Sequence, residues 1–214
     1  MTAKNERIVQ ALLEHEGRTY AEEAGVSLRD TPAPLFQVLV LSLLLSARIQ
    51  SGIAVAAARA LFDAGMRDAR RMADATWQQR VDALGEGGYR RYDERTSTQL
   101  GEAAELLQER YKGDLRALHE AGDVRERLGE VPGIGPAGTD IFLREVQALW
   151  PEFAPLIDAK ARDGAERLGL PKSAKSLAGL VDEADLPRLA AGLVRVALDK
   201  KAAQEVRELA GRSG

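Results

Sequence analysis

Two glycines, Gly133 and Gly135, flank Ile134 in the run Val131-Pro-Gly-Ile-Gly-Pro136. One helical pattern ends just before this run and another begins near Ala137. Without a Cβ, glycine can adopt positive φ and lets another backbone approach closely. A helix start also leaves backbone amides unpaired, and such amides form a phosphate-binding site. That grip uses backbone dipoles rather than lysine, and it fixes a nucleic-acid strand without reading its bases. The same residues make a sound turn between two helices. Taken alone, the short motif leaves both readings open.

The elements that must position this turn are helical. Alanine and leucine are abundant, aromatic residues are only 5% of the chain, and no stretch alternates like a strand. Apolar spacing predicts an amphipathic helix over 6–16 and a nearly all-apolar core helix over 35–48. Shorter helices are expected over 53–64, 69–73 and 76–84, then a long polar one over 92–110. Pieces over 115–119 and 124–128 lead into the glycine turn, and a helix over 137–149 leaves it. Beyond the connection Trp150-Pro-Glu-Phe-Ala-Pro155, helices are expected over 159–168, 176–184 and 185–209. The expectation is an all-α, two-lobed fold of 214 residues.

Composition removes several chemistries. With no cysteine, the chain can form no disulfide, no thiolate zinc site and no cysteine-ligated iron–sulfur cluster. The two histidines, His15 and His119, lie far apart in sequence, so no histidine-built metal site is expected. The start, MTAKNERIVQ, has no signal-peptide apolar stretch, and the apolar run 35–47 is too short to span a bilayer. The expectation is a cytoplasmic protein without membrane contact, nucleoid-associated if bacterial.

The wider run Leu128-Gly-Glu-Val-Pro-Gly-Ile-Gly-Pro-Ala-Gly-Thr-Asp-Ile-Phe-Leu143 resembles the helix-hairpin-helix signature of the DNA glycosylase superfamily that includes endonuclease III. Three further segments fall in the order of that family. FQVLVLSLLLSAR (36–48) looks like its central apolar helix ending in Leu-Ser-Ala. Gly88-Tyr-Arg-Arg-Tyr-Asp-Glu-Arg95 looks like its glycine-aromatic helix entry, and Leu156-Ile-Asp158 looks like its aspartate loop. The resemblance spans roughly 35–171.

The resemblance implies a helical DNA glycosylase fold with a barrel lobe over 36–147, ending in the hairpin. The second lobe would combine 1–35 with 148–214 and carry the aspartate loop. It implies that Asp158 is the catalytic carboxylate, where an anion stabilises positive charge on the sugar or activates water as the glycosidic bond breaks. Standing just before a predicted helix, Asp158 is equally a good N-cap. Gly133, Ile134, Gly135 and Ala137 would hold a DNA phosphate. Strand-cleaving members carry a nucleophilic lysine where this chain has Ala137, so the resemblance implies a monofunctional glycosylase without lyase activity. Lys160 could replace that amine or hold a phosphate, or it is a solvated first-turn residue. Arg48 and Gln50 fall where the family fills the gap left by a flipped base. Arg48 could instead be a helix C-terminal arginine beside the macrodipole. The family's four-cysteine cluster is absent, which matches its cluster-free members. No cofactor is expected, although a monovalent cation at the hairpin is compatible with the resemblance.

The partner implied is double-stranded DNA with a damaged or mispaired base, with no protein partner required. Yet 30 Lys and Arg stand against 33 Asp and Glu, a net charge of −3. DNA binding therefore needs an uneven surface. Arg59, Arg67, Arg70, Arg71, Arg80, Arg90 and Arg91 form one basic cluster in sequence. Lys160, Arg162, Arg167, Lys172 and Lys175 form another. The alternative is a non-catalytic helix-hairpin-helix protein that binds damaged, bent or abasic DNA, and a helical adaptor with a fortuitous turn is a third reading.

Overall fold

The computed structural model describes residues 2–212, and every regular element among them is helical. The chain runs through α1 (Ala3–His15), α2 (Tyr20–Glu23), α3 (Pro32–Ser46), α4 (Ser51–Asp63) and α5 (Ala69–Asp74). It continues through α6 (Trp77–Glu86), α7 (Asp93–Tyr111), α8 (Leu115–Glu120), α9 (Val124–Gly129) and α10 (Pro136–Val146). The last elements are α11 (Ala159–Leu168), α12 (Ala174–Ala178), α13 (Leu186–Leu198) and α14 (Lys200–Arg212). Two compact units result: Tyr20–Phe142, and Met1–Thr19 with Leu143–Gly214. Residues 20–35 thus group with the middle of the chain. No helix is long and apolar enough to cross a membrane among the described residues.

In the Tyr20–Phe142 unit, α3 is the buried axis. Leu35, Phe36, Val38, Leu39, Leu41 and Leu44 are all at most 2% exposed. Each side chain of this size contributes about 2 kcal/mol by leaving water. The helix starts three residues earlier than the periodicity predicts, because Pro32 and Pro34 occupy its first turn, where no intrahelical N–H is needed. It ends at Ser46, with Ala47 extended. Arg48 therefore lies outside the helix, and its reading as a helical C-terminal arginine does not hold.

Arg80 fastens α5, α6 and α7. It is 8% exposed, and its guanidinium donates to the carbonyls of Met72, Ala75 and Ser97 at 2.7–2.9 Å. Burial lowers its pKa from the usual arginine value, opposed by the charge of Glu105. Gly101 makes room, since a Cβ there would lie 2.6 Å from the Arg80 guanidinium. Arg80→Met should cost on the order of 3 kcal/mol, because three carbonyls lose a charged donor. Urea titration of the variant against wild type measures this. The sequence placed Arg80 in a surface basic cluster, and its burial takes it out of that role.

In the other unit, α11 packs on α13, and α13 and α14 pack on α1. Arg188 and Arg195 on α13 donate to carbonyls at the end of α1, from Leu13 to Arg18. The single helix expected over 185–209 is two helices, broken at Asp199 (φ −123°, ψ 117°). The Asp199 carboxylate accepts the Lys201 amide at 2.8 Å, giving the backbone a local alternative to helix. Over 176–184 the expected helix shrinks to α12 and a 3-10 turn at Glu183–Asp185.

Candidate nucleic-acid interface and aspartate loop

The glycine turn joins α9 to α10 as a compact hairpin. Leu128, Val131, Ile134 and Phe142 are buried along it, and Arg125 pairs with Asp140 at 2.7 Å from one helix to the other. Ile134 donates its amide to the Val131 carbonyl at 3.0 Å, and the Thr139 amide donates to Gly135 at 2.9 Å. The amides of Gly133, Gly135, Ala137 and Gly138 find no acceptor among the described residues. Gly135 and Ala137 are exposed, whereas the Ile134 side chain is core and can offer a ligand only its backbone.

The two glycines differ in why they are glycine. Gly133 has φ +83°, and a Cβ there would meet Leu43 Cδ1 at 2.6 Å and Gln99 Cβ at 3.3 Å. Both its backbone and its packing demand glycine. Gly135 has no positive φ, and a Cβ would meet nothing within 4 Å. Nothing inside the protein requires glycine there. Gly135→Ala should leave the urea midpoint nearly unchanged, whereas Gly133→Ala should lose about 2 kcal/mol of stability. Urea titration of the two variants separates them.

Beside the turn, a cavity of about 300 Å³ is lined by Arg48, Tyr92, Arg95, Thr96, Gln99 and Gly133, among others, with no carboxylate in its wall. Arg48 and Gln50 are both exposed, Gln50 as the residue preceding α4. Arg91 lies over the Tyr92 ring, 5.2 Å from its centre. Arg48, Arg90, Arg91 and Arg95 have no carboxylate within ion-pair distance among the described residues. Arg67, Arg70 and Arg71, by contrast, pair with Asp63, Asp74 and Asp68. Three of the seven arginines in the cluster read from sequence are thus paired with carboxylates, and Arg80 is buried among carbonyls. Trp150 and Tyr89 are core, while Trp77 is 41% exposed and donates its ring N–H to Thr98.

In the other unit, Asp158 stands at the N-cap of α11. Its Oδ1 accepts the Ala161 amide at 2.8 Å, and its Oδ2 accepts from Arg144 Nη1 at 2.5 Å. The side chains of this pair are 4% exposed for Arg144 and 10% for Asp158. Gln147 ties down the loop that delivers the aspartate. Its side-chain carbonyl accepts the Leu156 amide at 2.8 Å, and its amide donates to the carbonyls of Arg144 and Leu156. Lys160 is exposed and paired with Asp163 at 3.1 Å. Sequence reasoning missed Arg144 and Gln147. Both are polar residues at the end of an apolar helix, and only the fold reveals that they are buried.

An all-helical body with a glycine hairpin and an aspartate-capped helix defines the class of fold. The chain shares the fold of endonuclease III. It is similar to a trapped endonuclease III–DNA covalent intermediate with an estranged adenine (TM-score 0.54, 14% identity, 91% of this chain and 85% of that one). It is also similar to a non-covalent endonuclease III–DNA complex (TM-score 0.55, 14% identity, the same coverage). No protein-family model matches the sequence, and no curated protein does.

Proposed function

We propose that this chain is a monofunctional DNA glycosylase of base-excision repair. It binds double-stranded DNA holding a damaged or mispaired base and hydrolyses the N-glycosidic bond. The observation that carries this reading is the hairpin, with four unpartnered amides and an open approach at Gly135. A DNA phosphate supplies the missing acceptors, and Arg48, Gln50, Arg90 and Arg91 supply further contacts. The fold shared with DNA-bound endonuclease III supports the same reading.

Asp158 is the anion for the sugar. As the base leaves, positive charge grows on the sugar ring, and a carboxylate fixed in orientation beforehand stabilises it with little reorganisation. Ala137 carries only a methyl group where strand-cleaving members of the resembled family carry an amine. The reaction therefore stops at the abasic site. Lys160 is assigned to phosphate contact, and a monovalent cation could join the hairpin; no other cofactor is needed.

The second reading is a protein that binds damaged or abasic DNA without chemistry. The pairing of Asp158 with a buried arginine favours it, because both carboxylate oxygens already have partners. Duplexes with single lesions, incubated with and without hot alkali, decide between the two. Strand breaks that appear only after alkali are the expected result. Tight binding with no base release from any duplex would favour the second reading.

A further inference from the structure

Resting on the glycosylase reading, we propose that Arg144 is the positioning residue that sets Asp158 for reaction with the sugar. A carboxylate on a loop has free rotation about χ1 and χ2. Here each oxygen has one directional donor from a different element: the Ala161 amide on α11 and the Arg144 guanidinium on α10. Two fixed donors define both the position of the carboxylate and the plane of its oxygens. Each oxygen keeps a second lone pair for an outside partner.

Burial confines the arginine, and its backbone is tied to the aspartate loop. Arg144 is 3% exposed, so its guanidinium cannot swing into solvent. Gln147, 1% exposed, bonds the Arg144 carbonyl and both backbone groups of Leu156, two residues before the aspartate. Gln147 thus ties the backbone at Arg144 to the loop that delivers the aspartate. The guanidinium reaches Oδ2 through one N–H of fixed direction, whereas a lysine ammonium is a rotatable point charge that does not set that direction. Orientation at this level changes rate rather than binding.

The test uses Arg144→Lys and the paired variant Arg144→Met with Asp158→Asn, in the full chain. The paired variant removes both charges, so it is expected to stay folded if the single change does not. Amide exchange of Ala161 reports whether the aspartate still caps α11. Single-turnover base release and duplex anisotropy report rate and affinity. In Arg144→Lys, Ala161 exchange should quicken and the rate should fall about a hundredfold, with Kd within about twofold of wild type. The paired variant should bind equally and release no base. An Arg144→Lys protein that releases base at the wild-type rate would overturn the inference while the glycosylase reading stands. A rate lost only in proportion to duplex affinity would overturn it as well. A wild type that releases no base from any lesion duplex would overturn the glycosylase reading and this inference with it.

Discussion

Asp158→Asn should bring base release down by about a thousandfold or more while duplex affinity stays close to wild type. Asparagine keeps the N-cap of α11, because its carbonyl oxygen can still accept the Ala161 amide. In the glycosylase reading, what it lacks is the negative charge opposite the developing positive charge of the sugar. The substitution also removes the anion facing Arg144, whose side chain is only 4% exposed. Leaving a buried guanidinium without its carboxylate costs about 3 kcal/mol. Stability and activity must therefore be measured on the same preparation, at a temperature where the variant is folded. Asp158→Ala would lose the cap as well, at about 1 kcal/mol more. The difference between the two variants in urea isolates the cap, and their shared loss of rate isolates the charge.

Gly164→Ala should be the most disruptive single-methyl change near the site. α11 lies so close to α13 that a Cβ at Gly164 would sit 1.9 Å from the Leu193 carbonyl oxygen. That neighbour is backbone in the middle of a helix, so it cannot move aside as a side-chain tip can. The crossing must open, which separates Ala161, Ala165 and Leu168 from the face they pack on. Overpacking against backbone costs about 3 kcal/mol. Because Asp158 caps α11, opening the crossing should also disturb its pairing with Arg144. Lower thermal stability is expected together with a reduced rate in whatever fraction remains folded. An unchanged melting transition would show that the crossing is looser than the backbone distance implies.

The parts of the fold legible in sequence are those where one local signal dominates. The apolar run 35–44 could only be a buried helix, and the glycine turn could only separate two helices. α11 was readable to the residue, with an aspartate cap at one end and Gly169 at φ +73° closing the other. Elsewhere a local bond competed with helix periodicity. Asp199 breaks what reads as one helix, and two prolines lengthen α3 toward its N-terminus because its first turn tolerates them. The candidate site was legible in its glycines and in Asp158, which the resemblance picked out by order along the chain. Arg144 and Gln147 were not legible. Their role depends on how the end of α10 and the turn after it meet the aspartate loop, and composition gives no sign that these polar side chains are inside. Arg80 shows the converse, since a surface cluster and a buried staple look identical in a list of arginines.

The most direct measurement is the free base itself. Wild type and Asp158→Asn are incubated with each single-lesion duplex in excess of DNA-binding saturation, and the released base is quantified by mass spectrometry. Borohydride is added to a parallel sample. The account predicts one duplex from which wild type releases its base with an intact strand and no trapped protein–DNA adduct, while the variant binds the same duplex and releases none. Equal release by the two proteins, or a borohydride-trapped adduct with wild type, would contradict hydrolysis by Asp158.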